Sequence, residues 1–131
     1  MNVPAGLIRQ DRAPDHARVM VSRHGAPLLR ALRADSFLAR LRGLHAVAPL
    51  GPGDALLISP CRAVQTWRMD YAVDVVFLDE GGNVLALHPR QRGTVAICWG
   101  AQVAIEMAAG TAERLGLGVG QTLTISRQVR A

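Results

Sequence analysis

Residues 73–79, Val-Asp-Val-Val-Phe-Leu-Asp, constrain the fold more than any other stretch of the chain. β-Branched and aromatic residues suit a pleated strand. Alternation from Val73 sends Val73, Val75 and Phe77 to one sheet face and Asp74, Val76 and Leu78 to the other. Glu80-Gly81-Gly82-Asn83 then reads as a hairpin signal, with residues 84–88 as the returning strand. A chain built around such a hairpin is committed to a sheet.

The flanking segments have the same character. Apolar or alternating runs at 17–22, 55–59, 61–69, 95–99, 102–107 and 121–126 are candidate strands. Pro49, Gly51, Pro52 and Gly53 make one turn-rich loop, and Gly116, Gly118 and Gly120 another. Two brief helices fit between them. Asp35 or Ser36 can cap one over residues 37–42, with Phe37, Leu38, Leu41 and Leu44 on one face and Arg42-Gly43-Leu44 as its stop. That helix could begin as early as Pro27, because LLRALRA has the same periodicity. The second opens at Thr111, with Thr111 as cap and Glu113 in its first turn. The expectation is a mainly β fold, a small jelly-roll-like β-sandwich with two short helices near 34–44 and 111–116. Residues 1–16 form a loose lead-in and 17–131 a single domain.

A chain of 131 residues, half of them hydrophobic and 19% charged, is ordered and long enough to bury a core without disulfide or metal staples. No apolar run approaches the roughly 20 residues of a spanning helix, and the first residues lack the apolar core of a secretory signal, so a cytoplasmic location is expected. Cys61 and Cys98 lie far apart with no C-x-x-C spacing, which favours buried, inert thiols over a disulfide. The formal charge of +5 suggests nucleic acid, but residues 1–44 hold eight Arg against three Asp, while residues 45–131 hold seven Arg against seven acids. The body of the domain is neutral, so a weak Arg-mediated contact with nucleic acid is only a secondary reading.

Asp74 is the chemically conspicuous residue. An acid flanked on its own face by Val76 and Leu78 is expected to be at least partly buried, and a buried carboxylate must find donors. It is either an acceptor for backbone amides of a neighbouring loop or a functional acid, base or ligand contact. Trp67, Met69 and Tyr71 alternate on one side with Gln65 in register, which makes either a core stripe or an aromatic groove for a small organic ligand. Arg42 or a neighbouring Arg could add an anion-binding fork. The candidate ligand-binding set is therefore Gln65, Trp67, Met69, Tyr71, Asp74 and Arg42. His16, His24, His45 and His88 are scattered without a ligand spacing, no Ser stands in G-x-S-x-G, and the 116–120 glycines are turn chemistry, so neither a metal nor another cofactor is expected.

Several ordered motifs carry a resemblance: Arg42-Gly43-Leu44, Pro52-Gly53-Asp54, Thr66-Trp67 with Met69, Asp74-Val75-Val76-Phe77-Leu78-Asp79, and the run from Ala109-Gly110-Thr111 through Gly116-Leu117 to Gly120. Over about residues 37–125 the chain resembles the bacterial and archaeal proteins grouped as domain-of-unknown-function family 192. The resemblance implies a small β-sandwich and no assigned activity. The family commonly has His at Gln65, a basic residue at Asp70, Pro at Ala72, Met at His45 and Asp at Gln121. Loss of that His removes the most obvious acid–base partner for Asp74. The reading is a binding or accessory module using the Gln65–Asp74 face for a small molecule or a protein partner, away from any membrane. An enzyme using Asp74 is the rival.

Overall fold

The computed structural model describes residues 18–34, 50–66 and 71–127. Among these residues the chain forms nine strands and one four-residue helix, as a mainly β sequence requires. The strands are β1 (Arg18–Arg23), β2 (Ala26–Ala34), β3 (Asp54–Ile58), β4 (Ala63–Gln65), β5 (Val73–Leu78), β6 (Val84–Gln91), β7 (Val95–Ile97), β8 (Val103–Ala108) and β9 (Thr124–Arg127); α1 is Thr111–Arg114. The expected helix near 34–44 falls outside the described residues except for Ala34, the last residue of β2. The lead-in and the distal end of the expected 61–69 strand also lie outside them.

Seven strands make one sheet in the order β6-β5-β8-β3-β2-β1-β9, and β4 pairs with β7 in a second, smaller one. All neighbours are antiparallel except β2 and β3, which run parallel. The sandwich is thus uneven, a broad sheet with a two-stranded flap. The broad sheet also curls. Asn83 and Thr122, just ahead of β6 and β9, form a bridge, and Leu123 N–H donates to Gly82 O at 2.8 Å, so the segments leading into the two edge strands meet.

Curling divides the core by strand parity. Val19, Val21, Leu29, Ala31, Leu57, Val76, Leu78, Ile105 and Met107 pack on one face, with Ala112, Leu117 and Leu123 across its opening. Leu32, Ala34, Leu56, Ile58, Val73, Val75 and Phe77 pack on the other, beneath Val64 of β4 and Ala96 of β7. Strands β3, β5 and β8 are therefore buried on both sides.

The same division corrects one expectation. LLRALRA is a strand and not an early helical turn, because Leu29 and Ala31 serve one core while Leu32 and Ala34 serve the other. A strand buried on both faces carries apolar residues at the spacings that also suggest a helix. The turn that makes it a strand is His24-Gly25, with φ of 52° and 79°, a two-residue left-handed hairpin joining β1 to β2.

Candidate functional site

Asp74 sits in β5 with 1% of its surface exposed. Val73 pairs with Gln91 and Val75 with His88, so Asp74 faces two residues, Pro89 and Arg90, across a β-bulge. Arg90 takes φ 52°, a left-handed conformation that costs a non-glycine residue energy, and its N–H donates to Asp74 Oδ1 at 2.9 Å. The second carboxylate oxygen accepts Gly110 N–H and Ala112 N–H, both at 3.0 Å.

Those two amides belong to the start of α1, whose N-cap is Gly110 in the left-handed region, with no capping bond from its own stretch of chain. The expected cap, Thr111, is instead the first helical residue. The acceptor that a local Ser or Thr would supply comes from a strand 36 residues earlier. Both oxygens of Asp74 are thus committed to backbone amides, and its carboxylate ties the bulge, the helix start and β5 together.

Of the other sequence candidates, the two among the described residues, Gln65 and Tyr71, do not gather around it. Tyr71 precedes β5 on the opposite parity and packs half-buried against the core cluster containing Val73 and Val75. Gln65 ends β4, exposed, and pairs with Val95 of β7. Trp67, Met69 and Arg42 lie outside the described residues. Among the described residues no three His, Cys, Asp or Glu side chains converge as a metal site would need.

A second buried carboxylate escaped the sequence reading. Glu106 of β8 is 3% exposed and stands opposite Leu56 and Val75, so it lies on the flap side of the sheet. The signal was available: an acid within Val103–Ala108 is the same pattern as Asp74 within β5. Glu106 also influences Cys61. Burial pushes the Cys61 thiol above its ordinary range; the Ala63 carbonyl, which accepts Sγ–H at 3.2 Å, draws it back, and the nearby Glu106 charge raises it again. Such a thiol is a poor nucleophile at neutral pH.

The two-stranded flap has an inner and an outer surface. Its paired Val64 and Ala96 are buried, at 5% and 2% exposure. The flanking pairs, Ala63 with Ile97 and Gln65 with Val95, face solvent. Ile97 is 47% exposed and Trp99, just past the strand, is 76% exposed. Thr66 anchors the flap: its N–H and Oγ1 both donate to Thr94 O, at 2.8 and 3.1 Å, and its Oγ1 accepts Thr94 N–H.

The family model of DUF192, an uncharacterized ACR, matches residues 19–125. The chain belongs to the DUF192 family. Among solved structures it is similar to a proposed transcription regulator from Sinorhizobium meliloti 1021, at 19% identity and a TM-score of 0.67, covering 82% of this chain and 91% of that one. It is similar also to a protein of unknown function from Novosphingobium aromaticivorans DSM 12444, at 18% identity and a TM-score of 0.68, covering 82% and 83%. At these identities the likeness is one of fold. A search of the curated proteins found no match. The DUF192 member described here therefore shares its curled sheet with proteins of differing descriptions. No helix among its described residues is long and apolar enough to cross a membrane.

Proposed function

We propose that this DUF192 domain is a binding module, with the outer surface of the β4–β7 flap, from Gln65 to Trp99, as its working face and a protein as its partner. One observation carries the reading: Val95, Ile97 and Trp99 stand 37%, 47% and 76% exposed on a flap whose inner residues are buried. Single exposed apolar residues are ordinary, but adjacent ones with a tryptophan at their edge match the composition of interface hot spots. Gln65 supplies a polar group beside Val95, as interface rims do.

The enzyme reading has less support. It needs Asp74 to keep an oxygen for a substrate, whereas Oδ1 takes one backbone amide and Oδ2 takes two. Trp67 and Met69, which would line a small-ligand groove, lie outside the described residues.

Photo-crosslinking tests the proposal. A photoreactive phenylalanine analogue is placed at position 97 or 99 in native cells, with exposed Glu113 on α1 as the control position. Discrete protein adducts from 97 and 99 but not from 113 are the expected result. Adducts absent from all three positions, or equal at all three, overturn it.

A further inference from the structure

The chain has two cysteines, Cys61 and Cys98, and both are free thiols. Cys61 precedes β4 and Cys98 follows β7, so the antiparallel flap brings them to the same end. Backbone bonds fix how they meet. Cys98 N–H donates to Arg62 O at 2.7 Å, which continues the β4–β7 pairing to Arg62 and Cys98. Cys61, one residue back, donates its own N–H to Gln102 O at 3.0 Å, and Ala101 N–H donates to Cys98 O at 3.1 Å. The turn over residues 98–102 is therefore tied to the Cys61–Arg62 backbone at both of its ends.

Directly opposed residues of an antiparallel ladder have Cα atoms about 4.5–5.5 Å apart, and one step along a strand adds an offset of about 3.4 Å. That geometry sets the Cα atoms of Cys61 and Cys98 roughly 6 Å apart, inside the span of about 4.4–6.8 Å that a disulfide bridges. In a regular ladder such diagonal neighbours point to opposite faces. Here β4 begins only at Ala63, and the chain before it is turned: Cys61 Sγ–H donates to Ala63 O, two residues on, and Cys61 is buried at 8% exposure. Cys98, half-buried, packs against the same core cluster, the one that holds Cys61, Val64 and Ala96. Both side chains thus join one cluster at the open end of the flap, and Cys98 has the greater access to solvent.

We propose that Cys61 and Cys98 are a redox-active pair, a modification site at which a hydroperoxide closes a reversible disulfide across the open end of the flap. The pair stands independently of what the flap binds. Cys98 reacts first, because a thiol must meet the oxidant in solvent. Its thiolate attacks the terminal peroxide oxygen, the O–O bond breaks, and the sulfur keeps that oxygen as a sulfenic acid. The alkoxide that leaves takes up the proton the thiol released. Cys61, held beside it by the fold, gives up its proton and attacks the Cys98 sulfur. The S–S bond forms, the S–O bond breaks, and the departing hydroxide takes that proton as water. Two thiols are oxidised, and the hydroperoxide is reduced to an alcohol and water.

The test uses the purified, folded full chain, reduced, exposed to hydrogen peroxide and quenched with catalase. Mass spectrometry should show a monomer lighter by two hydrogens that iodoacetamide no longer alkylates after unfolding and that dithiothreitol restores. With two cysteines in the chain, that product is the Cys61–Cys98 bond. Cys61→Ser should instead accumulate a sulfenic acid trapped by dimedone, at least about tenfold more than wild type does. Cys98→Ser should resist the same treatment, and melting curves check that both variants stay folded. Wild type with both thiols still open to alkylation, wild type carried to sulfinic acid without the bond, or a disulfide formed only between two chains overturns the proposal.

Discussion

Two residues hold the fold through the backbone they touch. Asp74 accepts three amide donors with a charged carboxylate, and bonds to charged groups contribute about 1.5–3 kcal/mol each. Asparagine keeps one oxygen and turns an NH2 toward donors, so Asp74→Asn should cost on the order of 1–3 kcal/mol. Gly82 is constrained differently. It has φ 85°, and a Cβ there would run into the carbonyl oxygen of Leu123, the backbone that closes the curl. Gly82→Ala should therefore destabilise by roughly 1–3 kcal/mol or more, read as a lower urea midpoint with unchanged slope. Asp74 was legible in the sequence as a buried acid, because the alternation of its neighbours places it. Its partners were not, since the helix start was readable locally but nothing local ties Arg90, Gly110 and Ala112 to a strand residue 16, 36 and 38 positions earlier.

At the scale of elements, the β5–β6 hairpin carries its own pH dependence. Asp79 Oδ1 accepts Gly81 N–H and Asn83 N–H, both at 2.9 Å, and the Asn83 side-chain amide reaches both oxygens. That amide first, then the backbone amides of Asn83, Gly81 and Gly82, hold the carboxyl below its ordinary value of 3.8. A carboxyl lowered in the fold stabilises above its unfolded value, and that stabilisation is lost as pH falls through the folded one. The melting-temperature gap between wild type and Asp79→Asn should be constant above about pH 5 and shrink below about pH 4. A gap that widens in acid would contradict this. The hairpin itself was readable from its Gly-Gly turn, whereas β2 was not separable from a helix. His24 is an unusual residue for a left-handed turn, and LLRALRA serves two cores at once.

For the whole molecule, charge and apolar surface divide the labour. The Arg excess belongs to residues 1–44, and the remainder is balanced. Nucleic-acid binding should accordingly be weak, independent of sequence and abolished by moderate salt; retention of a specific duplex at raised salt in a filter-binding assay would contradict that. Mainly β architecture was legible from short apolar runs and turns. The exposed flap surface was not, because Val95 and Ile97 face solvent only once their neighbours Val64 and Ala96 turn inward over the core. Asp74, 1% exposed, belongs to the scaffold, and Trp99, 76% exposed, to the surface. Thermal melts of wild type, Asp74→Asn and Trp99→Ala, run side by side, test that division. Asp74→Asn should lower the melting temperature by roughly 5 °C or more, and Trp99→Ala should leave it unchanged. An unshifted Asp74→Asn together with a destabilised Trp99→Ala would contradict it.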